Sequence, residues 1–269
     1  MNFNVTTLAV VMLLSGAASA AEPVVTALRE AIDKSIDWYQ LFPSENDTKP
    51  MKPIVALRWP NNIRGSTDGA TVVWVDKGRA EAVVAIYPWE ELFIHEFDSL
   101  SRGTLVARSD EEVVWNPNKP GLQFHPIDDV PPPAESALVR LRQMKSLTKH
   151  FKATLLGWVA DNSQREELRM MTRPIYRYEI DKPDKVQDGA IFAYATGTDP
   201  EVLLVIEAFG DAGRYAWQYA FVRRSSGGLE GRIRNKIVWV AEKYPQKKNR
   251  QSNHVEFSRP LDEVLATER

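Results

Sequence analysis

The chain has 269 residues, a formal net charge of −2, eight tryptophans and no cysteine. The lack of cysteine excludes disulfides, thiolate metal sites, cysteine nucleophiles and a lipidated amino-terminal cysteine. The near-neutral charge gives no indication of binding to nucleic acid or to an anionic membrane. With 43% hydrophobic residues, the composition is that of a well-packed globular protein.

Residues 1–21, MNFNVTTLAVVMLLSGAASAA, have the pattern of a signal peptide. The apolar run Val5–Gly16 is followed by Ala18-Ser19-Ala20, which fits the A-x-A preference of signal peptidase. The mature chain is therefore expected to begin near Ala21 or Glu22. The run is too short to span a bilayer, and no other stretch is long enough. A soluble secreted or periplasmic protein is expected, with no membrane insertion after cleavage.

Residues 22–120 are predicted to form a helix followed by a β-meander. Apolar residues at helical spacing predict a helix over Val24–Tyr39. Runs rich in β-branched and aromatic residues then predict strands, with a tight turn at Asp76–Arg79 between the second and the third. These strands are IVALRW, TVVWV, AEAVVAIY, ELFIHEF, TLVAR and EVVW.

Residues 121–133 are proline-rich and are predicted to be a linker. Residues 134–242 are predicted to contain helices and a second meander. A helix is expected over Ala134–Lys149 with Leu138, Leu141 and Met144 on its apolar side.

The rest of this second segment is predicted to be mostly strands. ATLLGW is read as a strand, and Asn162–Met171 as a short helix capped by Asn162 or Ser163. Residues 243–269 are predicted to be a polar surface tail. The remaining predicted strands are IYRYEI, AIFAYA, EVLLVIEAF, YAWQYAFVRR, GLEGRI and KIVWVAE.

The two β-rich segments resemble each other. Asp188–Ile206 laid over Asp68–Ile86 places an Asp-Gly-Ala triplet, a glutamate and an isoleucine at matching positions. An arginine followed by an aromatic residue precedes each triplet. The predicted fold class is α+β, with antiparallel β-meanders in two pseudo-equivalent repeats, each with accompanying helices. The pattern leaves open whether the two sheets merge, face each other or close a barrel.

The matched positions supply the candidate ligand-binding residues, and two interpretations remain open for them. In the structural one, Asp-Gly forms turns and the arginines pair with carboxylates. In the functional one, a cleft between the halves grips a glycan or a small acidic ligand, with Glu81 and Glu201 as an acid/base pair. The candidate residues are Arg58, Trp59, Asp68, Glu81, Arg177, Tyr178, Asp188 and Glu201.

Other short motifs do not extend to a site. In HEFDS, Ser99 stands where a zincin needs its second histidine, and on a strand His95 faces away from Glu96 and Asp98. SLTK at Ser146–Lys149 lacks the companion motifs of serine acyl-enzymes. The sequence has neither a phosphate-binding loop nor a dinucleotide fingerprint, so no metal and no cofactor are expected.

Three segments resemble a set of uncharacterised secreted bacterial proteins: ALRWPNNIRGSTDGATVVW, IYPWEELFIHEFDSLSRG and YRYEIDKPDKVQDGAIFAYATGTDPEVLLVIEA. The resemblance covers about Lys52 to Glu242 and implies export, without implying an activity. The expected function is that of a binding or structural module outside the cytoplasm. The alternatives are a carboxylate-based hydrolase of a carbohydrate or an ester, and a subunit of a cell-envelope assembly.

Overall fold

The computed structural model describes residues 17–61, 66–157, 165–182, 184–211, 213–244 and 249–266. Most of the predicted signal peptide, up to residue 16, lies outside them. No helix within these ranges combines the length and the apolarity needed to cross a membrane.

The described chain is mostly antiparallel β-structure with few helices. The helices are α1 (Ala17–Ile36), α2 (Ala137–Leu147), which continues into a 3-10 turn (Thr148–His150), and α3 (Leu261–Ala266). The strands are β1 (Gln40–Phe42), β2 (Lys52–Asn61), β3 (Ser66–Asp76), β4 (Arg79–Trp89), β5 (Leu92–Ser99), β6 (Val106–Ser109), β7 (Glu112–Trp115), β8 (His125–Pro126), β9 (Phe151–Leu155), β10 (Glu166–Glu167), β11 (Arg169–Met170), β12 (Tyr176–Arg177), β13 (Val186–Thr196), β14 (Asp199–Asp211), β15 (Arg214–Arg223), β16 (Leu229–Ile233), β17 (Lys236–Ala241) and β18 (His254–Pro260).

Two large sheets and two small ones are formed. The five-stranded sheet has the order β18-β5-β4-β3-β2. The six-stranded sheet runs β13-β14-β15-β8, with β11 and β12 both paired to the outer edge of β13. The small sheets have the orders β1-β6-β7 and β10-β9-β16-β17.

The two large sheets pack face to face, and helices cover their outer faces. Successive side chains of a strand point to opposite faces. Val72 of β3 therefore belongs to the buried cluster around Ile32 of α1, whereas Val73 belongs to the cluster that includes Leu203 of β14. On the far side, Met144 of α2 shares a cluster with strands of the six-stranded sheet. The layers are thus α1, five-stranded sheet, six-stranded sheet and α2, which explains why the long strands are apolar on both faces.

The strand predictions hold for the long strands, and so does the tight turn between β3 and β4. Lys77 and Gly78 both have positive φ, 48° and 87°, as a two-residue hairpin turn requires. The segment IYRYEI forms only the short strand β12. Helix α1 ends at Ile36, earlier than predicted.

The helix predicted over Asn162–Met171 is wrong for its described part, since residues 166–170 form β10 and β11. Backbone N–H groups of this segment bond to strands on both sides: Leu168 N donates to Ala153 O and Met171 N to Ala193 O, at 2.9 and 2.8 Å. Tertiary pairing overrides the helical propensity of the segment. Residues 162–164 lie outside the described ranges.

The polar tail predicted for residues 243–269 is also wrong for much of its length. Residues 254–260 form β18, the edge strand beside β5. Val255 is fully buried, and α3 packs against α1. The connection at residues 121–133 is likewise tied into the fold, because it contains β8 and the buried Leu122.

The two halves of the chain share several irregularities. Trp59 lies against Gly69 so closely that a Cβ on this glycine would approach the ring to 2.7 Å, and at Gly189 it would approach the ring of Tyr178 to 2.5 Å. Neither glycine has a positive φ. The halves also have matching register shifts, between Trp74/Val75 and Tyr194/Ala195 and between Ala107/Arg108 and Gly231/Arg232.

Substituting either ring-contacting glycine should destabilise the protein. For Gly69→Ala and Gly189→Ala we expect a loss of about 1–3 kcal/mol in the free energy of unfolding, as for other overpacked cores. Gly103→Ala is the matched control, since a Cβ there would meet nothing within 4 Å. Urea unfolding of the three variants tests this expectation. Equal stability of all three would contradict it.

Candidate functional site

The two aspartates of the Asp-Gly-Ala triplets are buried inside strands and bound by arginines. Asp188 Oδ2 accepts from Arg140 Nε at 2.8 Å and from Arg177 Nη2 at 2.7 Å. Arg177 also donates to the carbonyl oxygen of Ala137 on α2. Asp68 accepts a hydrogen bond from Arg29 of α1. Each aspartate thus ties a large sheet to the helix that covers it.

The turn interpretation of these Asp-Gly pairs is wrong. Asp68 and Asp188 lie within β3 and β13, and both are almost fully buried. Neither glycine is needed for a positive φ. Each is needed because an aromatic ring lies where a side chain would otherwise be. The predicted pairing of the arginines with carboxylates is confirmed for both: Arg177 pairs with Asp188, and Arg58 pairs with Asp33 on α1.

The two aromatic candidates are core residues. Trp59 is 2% exposed and its Nε1 donates to Thr71 Oγ1 at 3.1 Å. Tyr178 is 5% exposed and its hydroxyl donates to Glu207 Oε1 at 2.8 Å. Because a ligand-stacking ring needs an open face, neither ring is placed to grip a sugar.

Glu81 belongs to a buried network between the two sheets, which we call the Arg79 cluster. Arg79 donates to Glu81 Oε1 at 2.7 Å and to Glu207 Oε1 at 2.9 Å. Burial raises the pKa of Glu81, and Arg79 partly offsets this. The cluster consists of Arg79, Glu81, Arg102, Tyr178, Glu207 and Gln218.

The structure places Glu207, not Glu201, beside the partner of Glu81. Glu201 is buried on β14, and its carbonyl oxygen accepts from Arg224 N at 2.9 Å. Glu207 lies six residues further along the same strand and is fully buried. Glu207 could have been identified from the sequence, since it is a glutamate inside the apolar run EVLLVIEAF. A charge at a buried position needs hydrogen-bonding or charged partners.

A second network, the His254 cluster, consists of Glu96, Asp98, Arg224 and His254. His254 Nδ1 lies 2.8 Å from Asp98 Oδ1, and its Nε2 lies 3.4 Å from Glu96 Oε1. Arg224 donates to Asp98 Oδ2 and to the carbonyl oxygen of Glu96. The cluster joins β5, β18 and the end of β15.

The prediction that His95 faces away from Glu96 and Asp98 is confirmed. The ring of His95 lies on the helix side of the sheet, 3.0 Å from Ser35 Oγ and 3.3 Å from the hydroxyl of Tyr39. Among the described residues, no group of three or more metal-ligating side chains is placed to hold a metal ion.

A cleft of about 450 Å³ opens beside α2. It brings together three of the predicted residues, Arg177, Tyr178 and Asp188, with side chains that the sequence did not indicate. Arg140 reaches it from α2, and Gln187 from a register irregularity between Val186 and Asp188. Its polar lining is Arg140, Arg177, Glu179, Asp181, Gln187 and Asp188.

Within the described chain, not every hydrogen-bonding group of the cleft lining has an internal partner. Oε1 of Gln187 is buried and has no hydrogen-bond partner there. Glu179 and Asp181 are exposed at the rim. The cleft therefore offers both acceptors and donors to a bound molecule.

Comparison of the chain with protein-family models, with curated proteins and with solved structures found no match.

Three buried groups make stability depend on pH in opposite directions. Burial lowers the pKa of His95 to about 3. Its contribution to the free energy of unfolding is therefore present above pH 6.5 and is lost as the pH falls. Burial raises the pKa of Glu96 to about 7, so its contribution is present below pH 4.5 and is lost as the pH rises towards 7. Burial alone would lower the pKa of His254, but Asp98 and Glu96 outweigh it and raise this pKa, so its contribution is lost above pH 6.5.

Glu96→Gln should therefore change the pH dependence of stability. As the pH rises from 4.5 to 7, the free energy of unfolding of the variant should increase by roughly 1–3 kcal/mol relative to that of the unmodified protein, because Gln bears no charge at high pH. Urea unfolding at several pH values measures this difference. Glu112→Gln, at an exposed position on β7, is the control and should keep the original profile. If the stability of Glu96→Gln and that of the unmodified protein changed with pH in parallel, the raised pKa of Glu96 would be contradicted.

Proposed function

We propose that this chain is an exported binding module that takes a neutral, hydroxyl-rich ligand of the carbohydrate type in the cleft beside α2. The observation that carries the proposal is the bulge at Gln187. Gln187 lines the cleft together with Arg177 and Asp188, and its Oε1 has no hydrogen-bond partner among the described residues. Bulges commonly re-aim side chains at functional sites, and small-molecule sites combine a concave surface with a few convergent polar groups.

The charge of the lining favours a neutral ligand over an acidic one. Arg140 and Arg177 supply two positive charges, but both are hydrogen-bonded to Asp188. Glu179 and Asp181 add negative charge at the rim. An anionic ligand would meet an excess of carboxylates, whereas sugar hydroxyls both donate and accept hydrogen bonds.

A hydrolase that uses the predicted carboxylates is less well supported. Two carboxyl groups acting on a glycosidic bond must flank the bond in an accessible cleft. The side chain of Glu81 is 16% exposed and bound to Arg79, and Glu201 is 1% exposed. Neither lines the cleft beside α2.

We also infer that the two halves are structural repeats. In the first half β1, β6 and β7 form one sheet, and in the second β9, β16 and β17 pair in the same order. β18 stands beside β5 as β8 stands beside β15. The shared bulges and the two glycine–ring contacts support the same inference. An experimental structure with Asp68 and Asp188 at non-equivalent positions would contradict it.

The proposal that the protein is exported is based on the apolar run and the A-x-A sequence near the amino terminus. Amino-terminal sequencing of the exported protein should begin at residue 21 or 22. Helix α1 begins at Ala17, and the first buried core residue along the part of it whose side chains are described is Leu28. Recovery of an exported chain that begins at Met1 would contradict the proposal.

Binding of neutral oligosaccharides should depend on the cleft. In a calorimetric screen of neutral and uronic-acid oligosaccharides, we expect a neutral sugar to bind. Gln187→Ala and Glu179→Ala should each weaken its binding roughly tenfold, about the effect of one lost hydrogen bond. Neither side chain takes part in the ion pairs of Asp188 with Arg140 and Arg177, so both variants should still fold.

Glu263→Ala, at an exposed position of α3, is the matched control for loss of a carboxylate and should bind normally. Tighter binding of uronic acids than of neutral sugars would contradict the assigned ligand class. Equal binding by Gln187→Ala and the unmodified protein would contradict the assigned cleft.

A further inference from the structure

Strand β17 is the outer edge of the small sheet β10-β9-β16-β17. Among the described residues, it pairs with β16 and with no other strand. Ile237 and Val240 are 49% and 57% exposed, unusually high for apolar residues of a strand. Open, apolar edge strands are templates for pairing with another strand.

The corresponding edge of the other small sheet is covered. There, β7 is the edge strand, and a turn in residues 249–253 lies against it. Asn116 N donates to Arg250 O at 2.8 Å, and Trp115 Nε1 donates to Ser252 O at 2.8 Å. Arg250 also reaches the carbonyl oxygen of Val113. A turn that begins near Asn249, where Ser252 N donates to Asn249 O at 2.9 Å, thus covers this edge, whereas no described segment covers the edge of β17.

We propose that β17 pairs with β17 of a second copy of this chain, antiparallel and centred on Trp239. In an antiparallel pair, directly opposite residues lie on the same face. This register places Val238 opposite Val240 and Ile237 opposite Ala241, so each exposed apolar side chain lies beside an apolar residue of the other copy. It joins the two small sheets into one continuous sheet across a two-fold axis, the commonest symmetry of soluble oligomers.

Charge complementarity selects this register. Lys236 begins the strand and Glu242 directly follows it, and both are exposed. Only with Trp239 at the centre does each Lys236 stand opposite Glu242 of the other copy, which gives two favourable pairs. A shift by one residue removes both pairs, and a parallel arrangement sets lysine beside lysine. Opposite charges across a strand pair stabilise it, and like charges destabilise it.

A charge-swap series tests the proposal by sedimentation velocity over a range of protein concentrations. The unmodified protein should show a concentration-dependent dimer. Lys236→Glu or Glu242→Lys alone should weaken dimerisation roughly tenfold or more, because each creates two like-charged pairs. The double variant Lys236→Glu/Glu242→Lys should restore it. All these positions are exposed, and circular dichroism checks that each variant is folded.

Glu112→Lys is the matched control, a charge reversal at an exposed position of the covered edge strand β7, and should dimerise normally. A protein that stays monomeric at all concentrations overturns the proposal. A dimer that is insensitive to the single swaps, or one that the double variant fails to restore, overturns it as well, because another surface or register then forms the contact.

Discussion

The hydrogen bond between Arg79 and Glu207 links the two large sheets inside the protein. The side chain of Glu207 is fully buried, so its charge needs compensation within the fold. Arg79, Arg102, Tyr178 and Gln218 all donate to it, from β4, from the connection after β5, from the end of β12 and from β15. Removing one partner of such a pair typically costs about 3–5 kcal/mol. Sliding one sheet over the other would separate these groups, so this contact fixes how the sheets are stacked.

Apolar packing between the sheets could not fix their relative position by itself. Val83, Leu203 and Val205 fill the centre of the interface, and their attraction is non-directional. The polar contacts lie around this centre: the Arg79 cluster, and the His254 cluster with its arginine from the six-stranded sheet. Asp68 and Asp188 attach the helices in the same manner. We infer that apolar burial supplies most of the stability and that the paired charges specify one arrangement of the four layers.

Local patterns in the sequence predicted the long strands, because β3, β4, β13 and β14 carry enough β-branched and aromatic residues to outweigh competing signals. The edge strand β18 was missed, since its buried face includes His254, a residue that reads as polar until its carboxylate partners are known. Those partners, Asp98 and Glu96, are about 156 residues away in sequence. Helix α2 was predicted with Leu138 on its buried side, whereas Leu138 is exposed and Arg140 is buried against Asp188. Three residues that line the cleft, Arg177, Tyr178 and Asp188, were among the predicted residues. Gln187 lines it because of a bulge, which no residue pattern in the sequence predicts.

The chain's order of segments makes its two halves unequal. The segment that follows β17 returns to the first half, where it covers β7, pairs with β5 through β18 and packs α3 on α1. Among the described residues, the second half receives only β8, from the connection between the halves. Within the described residues, the first half is therefore closed by the carboxy-terminal segment, while the second keeps both the cleft beside α2 and the open edge of β17. Two repeats of the kind proposed can differ in this way without any difference in their own strands. For that reason both proposed contacts with other molecules, the ligand and the second copy, fall in the second half.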